Sequence, residues 1–212
     1  KQALFILLGF WAVSILFLPR FATDVGSALS PAPEAAAFSE RLSEESSTPF
    51  WGSTDEANNR QAQAEAEALT KYGVTRKEDL PINLDGYLLQ ASEEFANDVF
   101  DQLYDELWSA YEKQASIIQF FSLLSPSIAL SNISSAVAGT NLYAHRHFAD
   151  HAEIYRRDFV RTLNEEMIQH GGGDGYAYMS DNEFWQGIPD FHYRAPSLSE
   201  LLSTLLMDLM IL

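Results

Sequence analysis

The segment LDGYLLQASEEFANDVFDQLYDELWSAYEKQASIIQFF, residues 84–121, decides the fold. Apolar side chains recur along it at helical spacing: Leu88, Ala91, Phe95, Val99, Leu103, Leu107, Tyr111, Ile117 and Phe121. Acids fill the opposite face, at Asp85, Glu93, Glu94, Asp98, Asp101, Asp105 and Glu112. That period predicts an amphipathic helix approaching forty residues, with a break expected near Ser116. Downstream, Pro126 opens a milder segment of small residues that Gly139 closes. A second long amphipathic helix is expected from about Asn141 to His170, with Ala144, Phe148, Ala152, Tyr155, Phe159, Leu163 and Met167 on its apolar stripe. Gly171–Gly173 should end it, because consecutive glycines do not sustain a helix.

Upstream of this pair, Glu34–Glu45 reads as a short helix and Ser47–Ser53 as a turn-rich break. Thr54 is placed to cap a helix of Gln, Ala and Glu that Gly73 stops after Tyr72. That helix is polar almost all round, so it is expected to be exposed and weakly packed. Beyond His170 lies an aromatic loop with Tyr176, Tyr178, Phe184 and Trp185, ending in IPDFHYRAP. Ser197–Leu212 then returns to helix, with its leucines on one face. Alternating strand patterns are missing throughout. The expected fold is all-α.

The first run, Gln2–Leu18, holds seventeen residues without a charge. As a helix it is about 25 Å long, close to the ~30 Å hydrocarbon core of a bilayer. A signal peptide is the rival, but Phe5, Phe10, Trp11 and Phe17 are heavy for a signal core and Ala-Thr-Asp is a poor cleavage site. The simplest reading is a piece of a larger membrane protein. Residues 1–19 would end one membrane helix, 20–196 would form a helical domain, and 197–212 would start the next span. Pro19 is expected to end the first helix.

Net charge is −17, from 30 acids against 13 bases. A nucleic-acid partner is excluded, since phosphate binding needs clustered Lys and Arg. The shortage of basic residues favours an extracytoplasmic position for the central domain. With no cysteine there are no disulfides, zinc-thiolate sites or thiol chemistry.

Little points to catalysis. No metalloprotease helix, nucleophile elbow or phosphate loop occurs. Gly171–Gly175 follows a helix and so presents carbonyls rather than N–H groups. The acid pairs Glu93–Glu94 and Asp105–Glu106 read as a solvated face. Arg156 and Arg157, beside Glu153 and Asp158, read as ion pairs along their helix. His147 and His151, four apart, share a helical face and are the candidate metal pair, while His145 lies on another side. A tight site would need further ligands, from Asp150, His170, His192 or another chain. Asp208 is unusual for a membrane segment, where charges tend to be functional.

The stretch LLSPSIALSNISSAVAGTNLYAHRHFADHAEIYRRDFVRTLNEEM, residues 123–167, resembles a family of bacterial type-2 ABC transporter permeases that carry a large extracytoplasmic domain of unknown function. The matching positions are Ser135, Ala138, Gly139, Thr140, His145, Arg146, His147, Phe148, Tyr155, Arg156, Arg157, Asn164 and Glu165. A closing motif follows at Pro189, Phe191, Tyr193, Arg194 and Pro196. The resemblance implies a permease subunit in the bacterial inner membrane, its main domain periplasmic and its substrate unidentified. It also implies an ABC ATPase subunit as partner, a second permease subunit and the lipid bilayer. Any ATP would then sit on the ATPase, leaving this chain with no cofactor and no catalytic role. The alternative is a periplasmic metal-binding or partner-docking domain.

Overall fold

Leu84–Ser122 is an unbroken helix of 39 residues in a computed structural model that describes residues 1–170 and 177–209. The break expected near Ser116 is not there, and its hydroxyl is satisfied inside the helix by donating to the Glu112 carbonyl at 2.8 Å. Ahead of this helix stand α1 (Gln2–Ala12), a π turn (Val13–Phe17), α2 (Leu18–Leu29), α3 (Ala35–Ser46), α4 (Thr48–Trp51) and α5 (Asp55–Tyr72). Leu84–Ser122 is α6, followed by α7 (Pro126–Val137) and α8 (Leu142–His170). The chain continues through α9 (Asn182–Gly187), α10 (Leu198–Thr204) and α11 (Leu206–Leu209). Among the described residues no strand occurs, and the fold is all-α. The glycines expected to stop α8 lie outside the described residues.

Two compact units emerge, and both long helices contribute to each. One holds residues 1–33, 105–151 and 193–212, the other 34–104 and 152–192.

In the first unit the N-terminal helix does not stop at Pro19. It runs from Gln2 to Leu29, long and apolar enough to cross a membrane, with Leu4–Leu8, Phe10 and Trp11 exposed. The π turn explains how. The Leu18 N–H bonds the Val13 carbonyl, five residues back. In that register the Ser14 carbonyl would next meet residue 19, but a proline has no N–H to give. Ser125 and Ser127 supply the missing donors, their hydroxyls reaching the Ser14 oxygen at 2.6 and 3.2 Å. The far end of the helix is fixed to α6, where Gln114 Nε2 donates to the Ser30 carbonyl at 2.6 Å and Ser30 Oγ to that of Ala110 at 3.1 Å. Ala22 is fully buried, and a Cβ on Gly26 would lie 3.4 Å from the Gln114 carbonyl, so small residues set this close approach.

The second unit is built around Phe50, Ala64 and Leu88, with Leu84, Ala91 and Phe95 packed on them. Phe50 belongs to a helical turn, where the sequence suggests a break. Helix α5 is capped as its sequence predicts, Thr54 Oγ1 accepting from the Ala57 N–H and Gly73 closing it at φ 68°. Its packing differs from expectation. Ala57, Ala64 and Ala68 are buried in a stripe, because alanine lets backbones approach closely while adding little to an apolar pattern. Asn83 starts α6 and pins it to α8 through its N–H, which donates to the Ile168 carbonyl at 3.0 Å.

Residues 197–209 form two short helices instead of a continuous one, breaking at Leu205 (φ −103°, ψ 3°). Ser197 and Glu200 make a reciprocal capping box at the start. The aromatic loop likewise contains a helical turn, capped by Asp181 at the Phe184 N–H.

Candidate functional site

The residues singled out by motif divide between the two units. In the first unit, Ser135, Gly139 and Thr140 build a corner. Gly139 takes φ 68°, and the Thr140 N–H returns to the Ser135 carbonyl at 2.8 Å, closing α7. Asn141 Oδ1 then accepts from the Ala144 N–H at 2.9 Å and opens α8. These positions turn the chain, and Ser135 and Asn141 also line a cleft of this unit.

From that corner, α8 sends successive motif residues in different directions. His145 meets the indole of Trp108, its ring centroid 5.8 Å away. Arg146 pairs with Glu112, with Asp105 at 3.7 Å and with Asp150 at 3.8 Å. His147 and His151 lie against each other with centroids 4.2 Å apart and planes tilted by 31°, and Tyr193 stands edge-on to both and to Phe148. His151 Nδ1 lies 2.7 Å from the His147 carbonyl, which only accepts, so that nitrogen carries the proton. The lone pair of a neutral His151 ring is therefore on Nε2. His147 Nδ1 is 3.3 Å from the Tyr193 hydroxyl. Among the described residues no three His, Asp or Glu side chains gather as a metal set. Of the further ligands considered, His170 pairs instead with Glu166 at 3.0 Å.

A cleft of about 500 Å³ also opens in this unit, lined by Glu112, Gln119, Asn132, Tyr143, Arg146 and Asp208 among others. Asp208 is 1% exposed and accepts from Asn132 Nδ2 at 3.0 Å and Gln119 Nε2 at 3.3 Å. Sequence reasoning marks the acid but not its two amide donors, Gln119 and Asn132, which stand 89 and 76 residues away along the chain.

In the second unit, Arg156 and Arg157 face α6. Arg156 donates to Glu93 at 2.7 Å, to Asn97 at 2.9 Å and to both oxygens of Glu153. Arg157 clasps Asp101 with two bonds at 2.7 and 2.9 Å and reaches Glu153 at 2.8 Å. Glu93, Asn97 and Asp101 follow one another at four-residue spacing, hence one face of α6. Glu93 is thus paired and partly buried instead of lying on a solvated face, Asp101 is paired but remains exposed, and Asp158 pairs with Arg161 rather than with Arg157. Tyr155 donates to the Pro189 carbonyl at 2.9 Å and its ring meets Phe191. Asn164 is buried and donates to Gln90 at 3.1 Å. Glu165 and Pro189 are exposed, and Pro196 is half-buried in the first unit.

Arg156 holds the Glu153 carboxyl below the ordinary carboxylate range, and Arg157 does the same for Asp101, each outweighing partial burial. A folded value below the unfolded one stabilises above the ordinary range and is lost as pH falls through it, from about 4 downward. Thermal unfolding of the wild type and Glu153→Gln should therefore differ most near neutral pH, with the gap closing below about pH 4. A gap constant with pH would remove the electrostatic role of Glu153.

Compared with known families, residues 32–194 match a model described as Domain of unknown function (DUF3526). The chain belongs to that family. The matched span begins after the N-terminal helix and includes every motif position from Ser135 to Arg194. No curated protein and no solved structure matches the chain. The family description carries no activity.

Proposed function

We propose that this chain is the extracytoplasmic helical domain of an ABC permease subunit in a bacterial inner membrane, working with a separate ATPase and a second permease subunit. One observation carries the reading. The segment Gln2–Ala12 that opens the helix Gln2–Leu29 has no buried residue and exposes apolar side chains all round, an arrangement stable in lipid and costly in water. The remainder is acidic and, among the described residues, helical without a nucleophile–base constellation, which suits a transport component better than an enzyme. ATP hydrolysis on the partner would move the membrane helices, and the helical domain would gate or select the unidentified substrate. In the intact protein, deleting residues 35–72, which lie wholly in the second unit, should abolish transport while membrane insertion and ATPase co-purification persist. Recovery of the intact protein in the soluble fraction after carbonate washing, or failure of any ATPase to co-purify, rejects the proposal.

A second reading is favoured by His151, whose proton on Nδ1 leaves Nε2 free beside the adjacent His147 ring. On this reading the domain holds a metal through His147 and His151, with ligands completed by a docking partner. Calorimetry with zinc, copper and nickel tests it. Equal binding by wild type and a His147→Ala/His151→Ala variant removes the pair.

A further inference from the structure

No Asp, Glu, Lys or Arg occurs between Lys113 and Arg146. This stretch takes in the end of α6, the turn at Leu123–Ser125 and all of α7. Burial is inverted around its turn, although Ile128, Ala129 and Ala136 of α7 are buried and Ser131 is exposed. Ser122 and Ser125 are wholly buried, while Phe120, Leu123, Leu124, Leu130 and Val137 are 48–71% exposed. The exposed Ser134 returns its hydroxyl to the Leu130 carbonyl at 2.7 Å, which satisfies it without water.

The neighbouring helix shows where this stretch lies. Going up α6 and into α7, Gln114 meets Ser30, Phe121 meets Phe21 and Ser125 meets Ser14. The N-terminal helix and the tail of α6 therefore run antiparallel. On the N-terminal helix charge ends at Arg20, level with Phe121 by the Phe21–Phe121 contact, while on α6 it has already ended eight residues earlier, at Lys113. Ser14 lies six residues beyond Arg20, about 9 Å deeper along the axis. Ser125 and Ser127 bond to it there, so the start of α7 shares that depth.

We infer that the end of α6 and the start of α7 form a hairpin embedded in the bilayer beside the N-terminal helix, with Leu123, Leu124 and Leu130 against lipid acyl chains. This rests on the N-terminal helix crossing the membrane. Lipid is the occupant because the apolar surface is continuous with that helix, and because Ser125 and Ser127 face inward and bond across the contact, as membrane helices pair. Asp208, held by Gln119 two residues from Phe121, then sits at the rim near Arg20 and not at the bilayer centre.

This chain has no cysteine, and any cysteine elsewhere in the intact protein is replaced by serine so that the labels are single. Leu124→Cys and Leu130→Cys, with Leu8→Cys and Ala62→Cys as controls, are labelled in detergent with an environment-sensitive fluorophore. The intact protein is then reconstituted into vesicles of phosphatidylcholine with or without brominated acyl chains. Labels at 124 and 130 should be blue-shifted and quenched by brominated lipid as strongly as the label at 8. The label at position 62, an exposed alanine of α5, should respond only to aqueous iodide. Iodide quenching at 124 and 130 with lipid quenching at 8 overturns the hairpin and leaves the span standing. Protection from both quenchers assigns the surface to a protein partner and overturns lipid as occupant. A label at 8 that iodide reaches removes the span and the hairpin with it.

Discussion

Arg156→Ala should lower the free energy of unfolding by about 2 kcal/mol, measured by thermal or denaturant unfolding of the intact protein in detergent. The guanidinium makes charge-assisted bonds to Glu93 and Glu153 and a third contact to Asn97. Bonds of that kind contribute about 1.5–3 kcal/mol where water is excluded. Arg156 is 39% exposed and Glu93 20%, so solvent screening brings the expected sum well below a fully buried value. Its removal also leaves Glu93 facing Glu153 without the cation between them. Arg156→Lys should recover less than half of the loss, because one ammonium cannot span partners on two helices with the planar fork. A loss under about 0.5 kcal/mol for Arg156→Ala would class the network with ordinary surface ion pairs.

That network shows where legibility in the sequence ends. The long helices announce themselves through their period, and α7 through Pro126 at its start and Gly139 past its end, all features that act within a few residues of themselves. Glu93 and Asp101 carry no such local mark. As acids on the polar face of an amphipathic helix they are indistinguishable from Glu94 and Asp98 until α8 brings Arg156 and Arg157 opposite them. Tyr155 and Tyr193 are similar, since their meaning lies in Pro189 and in the His147–His151 pair. The alanine stripe of α5 is hidden for another reason. Ala57, Ala64 and Ala68 contribute by being small, and a reading weighted by hydrophobicity ranks them as neutral. In the motif stretch from Ser135 to Asn141 the pattern is visible and its meaning is not, because a helix corner and a ligand loop both call for Gly and Thr. The pairing of His147 with His151 is legible from spacing alone, whereas the tautomer of His151 requires a backbone carbonyl placed by the fold.

Pro19 gives the sharpest instance of a local rule decided by a distant partner, and the second large effect is expected there. Replacing both Ser125 and Ser127 by alanine leaves the Ser14 carbonyl buried with no donor, since Leu18 bonds Val13 and residue 19 is proline. A buried acceptor stripped of its partner costs about 1–3 kcal/mol, and the double variant is expected near 2 kcal/mol in thermal unfolding. The same pair of substitutions in a Pro19→Ala chain should cost far less. Alanine restores an N–H at residue 19, and in either the π or the α register the Ser14 oxygen regains a backbone donor. Pro19→Ala alone should change little, because the carbonyl is already satisfied by the two serines. The coupling between the sites, about 1–2 kcal/mol, is the quantity that matters. If Ser125→Ala/Ser127→Ala costs the same in both backgrounds, the serines act through their own packing, and another cause must hold the helix together across Pro19.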